Sequence, residues 1–195
     1  MKKWGNFHTT KGMKNLPNIL TIGRLLTLPL LVMLMMIDTS WAAWSALALY
    51  TLGCITDWLD GYLARKYKLE SNFGKFLDPI ADKIFIATVL ICLIANGHLS
   101  GWLGITSVLL ILSREFLISG LREFFGPKNI QFPVSKLAKL KTGIQMFALG
   151  FLIMGQYGVD TLAWNIEIGY TLLIAATILT VMSGWAYMKE GIKHL

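Results

Sequence analysis

Residues 57–82 read DWLDGYLARKYKLESNFGKFLDPIAD, and this stretch carries four aspartates flanked on both sides by long apolar runs. Asp57 and Asp60 are three residues apart, and Asp78 and Asp82 are four residues apart, so each pair shares one face of a helix. Charged groups at a membrane boundary are costly, and a cluster of them between apolar segments indicates a functional site.

The segment 66–73 between the two pairs is polar and basic. It predicts a turn that joins two antiparallel helices and brings the four carboxylates together. Four carboxylates at such close range repel one another unless a cation lies among them. Oxygen ligands in this number suit Mg²⁺ or Mn²⁺, particularly an ion that also holds a substrate phosphate. The alternative is a structural role, in which the aspartates cap helices or pair with Lys75 or Lys83.

The rest of the chain indicates a membrane protein, since 55% of its 195 residues are hydrophobic and only 15% are charged. A helix needs about 20 apolar residues to cross a hydrocarbon core. We predict an all-α integral membrane protein with six transmembrane helices, forming a single domain over residues 1–195. The predicted spans are 17–37, 42–64, 77–96, 99–121, 142–158 and 162–187.

The distribution of basic residues predicts the orientation of these spans. The three predicted outer loops, 38–41, 96–101 and 156–164, contain none of the 18 lysines and arginines. By the positive-inside rule, both termini then lie in the cytoplasm. The net charge of +7 describes a basic cytoplasmic face, which suits anionic lipids and phosphate-bearing substrates. Nucleic-acid binding explains it poorly, because the basic residues lie at the ends of spans with no soluble domain behind them.

Two groups of residues suggest contacts with the membrane interface. Segment 1–15 interleaves lysines with Trp4 and Phe7, which predicts either a basic amphipathic segment on the membrane surface or a loose basic tail. Trp164, Trp185 and Tyr187 are predicted to be interface aromatics near the ends of the last span.

The pattern of residues 57–82 resembles a family signature. D-x2-D-G-x2-A-R-x8-G-x3-D-x3-D is the signature of the CDP-alcohol phosphotransferases, and every fixed position matches here. The resemblance implies a six-helix membrane domain, a homodimer and a Mg²⁺ (or Mn²⁺) site formed by Asp57, Asp60, Asp78 and Asp82. Asp82 is expected to be a metal ligand, the general base, or both, and we favour the base.

Three further segments resemble those of the bacterial family members that make phosphatidylglycerophosphate. They are PNILTIGR at 17–24, REFLISGLRE at 114–123 and SKLAKLKT at 135–142, where Ala138 replaces the usual glycine. The resemblance implies that the nucleotide of the donor is bound by Asn18, Thr21, Gly61, Ala64, Arg65 and Gly74. Arg24 lies about two turns into an apolar span and therefore needs an acidic partner or a phosphate.

A second anion-binding pocket is predicted beside the carboxylates. Arg114 and Arg122 are eight residues apart, close to one helix face across two turns. Together with Lys139 and Lys141 they would bind the phosphate of an acceptor. Local salt bridges are the alternative for the arginines, and a simple topology anchor is the alternative for the lysines.

These resemblances imply transfer of a phosphatidyl group from CDP-diacylglycerol to sn-glycerol 3-phosphate, giving phosphatidylglycerophosphate and CMP. The enzyme would lie in the bacterial cytoplasmic (inner) membrane with its active site facing the cytoplasm. Alternatives are a related transferase that uses inositol phosphate or phosphatidylglycerol, a metal-ion transporter, or a non-catalytic scaffold. Carboxylates clustered at the cytoplasmic edge of two adjacent helices favour an enzyme over a transporter.

Overall fold

The chain folds into a helical bundle. The computed structural model describes residues 16–67, 72–126 and 136–193, and these ranges contain six α-helices and no strand. The helices are α1 (Leu16–Met36), α2 (Ser40–Tyr67), α3 (Asn72–Ala95), α4 (Gly101–Phe125), α5 (Lys136–Met154) and α6 (Asn165–Ile192), and a 3₁₀ turn, Gly155–Gly158, follows α5. All six predicted apolar segments are helices. The interfacial role predicted for segment 1–15 falls outside the described residues.

Four of the helices, α1, α4, α5 and α6, are long and apolar enough to cross a membrane by length and composition. The outer surface of the bundle is also apolar: Leu26 is 75% exposed, Trp102 83% and Phe147 70%. Large apolar side chains are placed this way where lipid, rather than water, surrounds the protein. The chain therefore has the character of a multi-pass membrane protein.

The helices that carry the aspartates differ from the prediction at their ends. Helix α2 continues to Tyr67 and α3 begins at Asn72, so residues 66–67 and 72–73 are helical. The prediction of a turn over residues 66–73 is therefore wrong at its two edges, and residues 68–71 fall outside the described part of the chain. Asp57 and Asp60 lie about three and two turns before the end of α2, and Asp78 and Asp82 lie about two and three turns after the start of α3. Their positions are therefore held by regular helix on both sides.

Helix α1 packs against both α2 and α3, and these two helices touch each other through the ring of Phe85. The ring of Phe85 stacks on that of Tyr50, with 5.7 Å between centroids. Phe85 also lies against Gly53, where an added Cβ would come within 2.6 Å of the ring. Gly53 is one turn before Asp57, and Phe85 is three residues after Asp82. A side chain at position 53 would displace the ring of Phe85 next to the carboxylates.

The short connections α1–α2, α3–α4 and α5–α6 meet at the opposite end of the bundle. Asp38 Oδ1 accepts hydrogen bonds from Gln156 Nε2 (3.2 Å) and from Tyr157 OH (3.0 Å). Tyr170 OH donates to the carbonyl of Ser100 (3.2 Å). These connections contain no lysine or arginine. One end of the bundle is therefore free of basic residues, and the aspartates lie towards the other.

Candidate active site

Arg24 is the centre of the carboxylate cluster. It lies on α1, about two turns from the start of the helix, and is only 4% exposed. One guanidinium nitrogen contacts Asp57 Oδ1, and the other, NH2, donates to Asp60 Oδ2 at 2.9 Å. Of the two partners that the sequence left open for Arg24, the structure shows the acidic one. Removing one partner of such a buried ion pair strongly destabilises the folded protein, because the other charge stays buried without compensation.

Thr21 connects the same face of α1 to the other pair of aspartates. Its hydroxyl donates to Asp78 Oδ1 at 2.7 Å. Thr21 precedes Arg24 by one turn, so a single polar stripe on an apolar helix holds carboxylates of both α2 and α3. The structure thus brings together three of the four predicted metal ligands around α1.

Asp82 lies at the edge of this cluster. It is within electrostatic range of Asp57 and Arg24 on one side and of Glu115 on the other. It also lines a small cavity that reaches Glu115 of α4 and Lys141 of α5. Asp82 therefore stands between the carboxylate cluster and the predicted anion pocket, a position suited to a group that moves a proton between two substrates.

The four aspartates fit a divalent cation by ligand type and charge. Hard carboxylate oxygens are what Mg²⁺ and Mn²⁺ prefer. The contacts of Arg24 and Thr21 each use one oxygen of a carboxylate, and the guanidinium of Arg24 contacts two of the four aspartates. Within the described ranges, however, no three His, Cys, Asp or Glu side chains lie close enough together to hold an ion.

The residues predicted to bind the nucleotide are only partly described. Gly61 follows Asp60 on α2, and Gly74 is buried near the start of α3. Both are beside the aspartates, as the spacing predicts. The side chains of Asn18, Ala64 and Arg65 fall outside the described part of the structure.

The predicted anion pocket contains an ion-paired core. Arg114 NH1 donates to Glu115 Oε1 at 3.1 Å, and Lys141 Nζ contacts the same oxygen. Arg114 NH2 also donates to Ser183 Oγ on α6 at 3.3 Å. The structure thus shows the local salt bridge that the sequence offered as an alternative for Arg114. Lys141 is only 3% exposed, so it is part of the bundle interior and not a surface anchor.

Arg122 joins this pocket through a residue that the sequence assigned to another role. Arg122 NH2 donates to Tyr187 OH at 3.1 Å. The centre of the Tyr187 ring lies 5.5 Å from the Arg122 guanidinium and 5.8 Å from that of Arg114, so both cations contact the same aromatic ring. Tyr187 is only 7% exposed, and its prediction as an interface aromatic is therefore wrong. Lys139 is exposed on α5, outside this ion-paired core.

Sequence reasoning missed Ser183, Tyr187 and Gln145 as site residues. Ser183 and Tyr187 are four residues apart on α6, which places both polar groups on the face that meets Arg114. Gln145 follows Lys141 by the same spacing on α5. The sequence pattern that could have identified them is a pair of polar residues one turn apart in an otherwise apolar helix.

Comparison with known proteins agrees with this arrangement. The family of CDP-alcohol phosphatidyltransferases matches residues 14–182, which include every predicted site residue. The chain belongs to this family. The family prediction is thereby confirmed, and with it the class of protein, a transferase.

Relatives cover almost the whole chain. A Rickettsia typhi protein named CDP-diacylglycerol–glycerol-3-phosphate 3-phosphatidyltransferase is 46% identical over 91% of this chain and 97% of its own length. A Cereibacter sphaeroides protein of the same name is 37% identical, over 93% of this chain and 97% of its own length. A Shigella flexneri protein, again of that name, is 32% identical over 91% of this chain and 94% of its own length.

Replacing Arg24 should destabilise the bundle. We expect Arg24→Met to lower the free energy of unfolding by about 3–5 kcal/mol, because it leaves two carboxylates without their buried counter-charge. Denaturant titration in detergent, with EDTA present so that no divalent ion replaces the guanidinium, measures the change. Lys193→Met is the matched control, since it removes an exposed ion pair with Glu190 and should cost less than about 1 kcal/mol. Equal effects of the two substitutions would contradict a central role for Arg24.

Proposed function

We propose that this protein transfers the phosphatidyl group of CDP-diacylglycerol to sn-glycerol 3-phosphate, releasing CMP and phosphatidylglycerophosphate. The observation that carries the proposal is that a cluster of carboxylates and a cluster of cationic side chains lie on the two sides of Asp82. Carboxylates suited to a metal-bound diphosphate lie on one side, and cations suited to a second phosphate lie on the other. The names of the relatives supply the same two substrates.

The reaction needs an in-line displacement at phosphorus. The oxygen of the C1 hydroxyl of glycerol 3-phosphate forms a bond to the β-phosphorus of the donor. The bond from that phosphorus to the bridging oxygen breaks, and the oxygen leaves with CMP. Asp82 accepts the proton of the attacking hydroxyl, because it lies at the edge of the carboxylate cluster and lines the cavity that reaches Glu115 and Lys141.

Asp57, Asp60 and Asp78 would hold a divalent ion, with Asp82 as a further ligand. When bound, Mg²⁺ or Mn²⁺ polarises the diphosphate and neutralises the charge that develops on the leaving CMP. Arg24 orients Asp57 and Asp60, and Thr21 orients Asp78. The cytidine diphosphate would lie against the residues predicted for it, Asn18, Thr21, Gly61, Ala64, Arg65 and Gly74.

A groove between α2 and α5 accounts for the lipid part of the donor. Its volume is about 530 Å³, and its walls are mostly apolar, with Leu47, Met146 and Phe147 among them. Ligand sites typically have volumes of about 300–1,000 Å³. The groove includes Cys54, one turn before Asp57, and continues to Asn165 at the start of α6. An acyl chain lying there keeps the diphosphate next to the carboxylates.

The acceptor phosphate would bind to Arg114, Arg122 and Lys141, with Lys139 at the exposed rim. Tyr187 contacts both guanidinium groups with its ring, and a planar guanidinium binds phosphate oxygens in pairs. Glu115 forms ion pairs with both Arg114 and Lys141 and so keeps them close together. This pocket favours a phosphorylated acceptor over an uncharged one.

The orientation in the membrane follows from the same charges. We infer six spans with both termini and the active site on the cytoplasmic side of the bacterial inner membrane. Support comes from the end of the bundle where Asp38, Gln156 and Tyr157 meet, whose connections have no lysine or arginine. A homodimer stays a prediction from the family resemblance.

An acceptor comparison tests the proposed function. Purified protein with CDP-diacylglycerol and Mg²⁺ should release CMP when glycerol 3-phosphate is added, and EDTA should stop the release. Inositol 1-phosphate, phosphatidylglycerol and serine are tested separately. CMP release with only one of these acceptors would still support the metal site but would contradict glycerol 3-phosphate as the acceptor. If none supports release by a folded sample, the transporter and scaffold alternatives become the better explanations.

Asp57→Asn should reduce turnover by at least about a hundredfold, because an amide is a weaker ligand and carries no charge. CMP release is measured at saturating Mg²⁺. Asp38→Asn makes the same change at the opposite end of the bundle, where Asp38 contacts Gln156 and Tyr157, and it should retain activity. Turnover that survives in Asp57→Asn would remove this residue from the proposed ligand set.

Arg122→Ala should raise KM for glycerol 3-phosphate about tenfold or more and leave KM for CDP-diacylglycerol nearly unchanged. The physical reason is the loss of one charged donor from the acceptor pocket. Lys189→Ala, which removes an exposed positive charge two residues from Tyr187, serves as the control. Initial rates with each substrate varied in turn give both constants. A similar rise in the two KM values would argue against an acceptor site at Arg122.

A further inference from the structure

Gln145 is a buried polar residue to which the proposed mechanism gives no task. It lies on α5, one turn after Lys141, and is only 3% exposed. Its Oε1 atom is buried and has no hydrogen-bond partner within the described residues. Buried polar atoms are nearly always paired, because the lost hydrogen bonds to water are otherwise not replaced. An unpaired amide oxygen at this position therefore suggests a ligand group that completes it.

The cavity beside Gln145 has the size and polarity to supply that group. Its volume is about 40 Å³, and its lining includes Asp82, Glu115, Lys141 and Thr142 as well as Gln145. A cavity of about 10–15 Å³ is enough to hold a water molecule, so this space admits a hydroxyl group of the acceptor. The cavity is also partly apolar, since Leu112 and Met146 close one side.

We propose that Gln145 recognises the C2 hydroxyl of the acceptor and so selects a glycerol phosphate over a simpler hydroxyalkyl phosphate. This inference rests on the proposed function. The acceptor phosphate lies towards Arg114 and Lys141, and the reacting C1 hydroxyl lies towards Asp82. The carbon between them then faces the cavity, and its hydroxyl donates to Gln145 Oε1.

Such a contact gives specificity as well as affinity. A site built to hydrogen-bond a hydroxyl rejects the analogue that lacks it, because the buried protein atom is then left unpaired. The contact also fixes the rotation of the acceptor about its carbon chain, which directs the C1 hydroxyl towards Asp82. Gln145 is thus a specificity-determining residue, and the proton transfer belongs to Asp82.

Deleting the hydroxyl and the glutamine in turn tests the contact. The acceptors are sn-glycerol 3-phosphate and 3-hydroxypropyl phosphate, which keeps the reacting hydroxyl and the phosphate and lacks only the C2 hydroxyl. We expect kcat/KM of the native protein to be about tenfold or more higher for glycerol 3-phosphate. In Gln145→Met, whose side chain has nearly the same shape, kcat/KM for the two acceptors should differ by less than about threefold. The change should come from a lower kcat/KM for glycerol 3-phosphate.

Gln156→Met is the matched control. It makes the same chemical change at the other end of the bundle, where Gln156 donates to Asp38, and should retain the native preference between acceptors. Thermal unfolding in detergent checks that both variants are folded.

Each outcome separates the inference from the proposed function. If Gln145→Met lowers kcat/KM equally for both acceptors, Gln145 has a structural role and the inference is wrong. If the native protein uses both acceptors equally well, the inference also fails, and this comparison does not require that the variant fold. If the native protein uses neither acceptor, the proposed function fails first and the inference fails with it.

Discussion

The charge of Arg24 in the interior of the bundle is the constraint on which the site depends. Burying a guanidinium among apolar helices costs much free energy unless carboxylates match its charge and accept its hydrogen bonds. Asp57 and Asp60 provide this match from α2, and Thr21 holds Asp78 of α3 one turn away. The first helix therefore orders the carboxylates on two other helices. The family signature lies on α2 and α3, but its geometry is set from α1.

In the cationic half of the site, buried positive charges are likewise balanced by an opposite charge, here that of Glu115. Lys141 is almost completely buried, and it shares one oxygen of Glu115 with Arg114. Tyr187 supports Arg114 and Arg122 with the negative face of its ring. Glu115 keeps mutually repelling cations in place, and Tyr187 spaces two of them. An incoming phosphate then meets groups that are already ordered, which lowers the entropy cost of binding.

The two halves meet at the cavity that contains Asp82 and Gln145. Neither half alone explains a transfer reaction, since the carboxylates suit the donor and the cations suit the acceptor. Asp82 lies within electrostatic range of both, with Asp57 on one side and Glu115 on the other. In the proposed reaction, a hydroxyl placed between the two halves would be close to Asp82 as proton acceptor and to Gln145, which line the same cavity.

The sequence by itself determined the positions of the six helices and the pairing of the four aspartates on two helix faces, because hydropathy and helical periodicity are local properties of the chain. It also determined which residues share a face of one helix, such as Thr21 and Arg24. Only the tertiary structure decided the partners across helices. Arg24 forms ion pairs with Asp57 and Asp60 of α2, and Tyr187 turns inward to the arginines rather than outward to the interface. These outcomes depend on how the helices are rotated against one another, and that rotation is set by the packing of many side chains at once, such as Phe85 against Gly53.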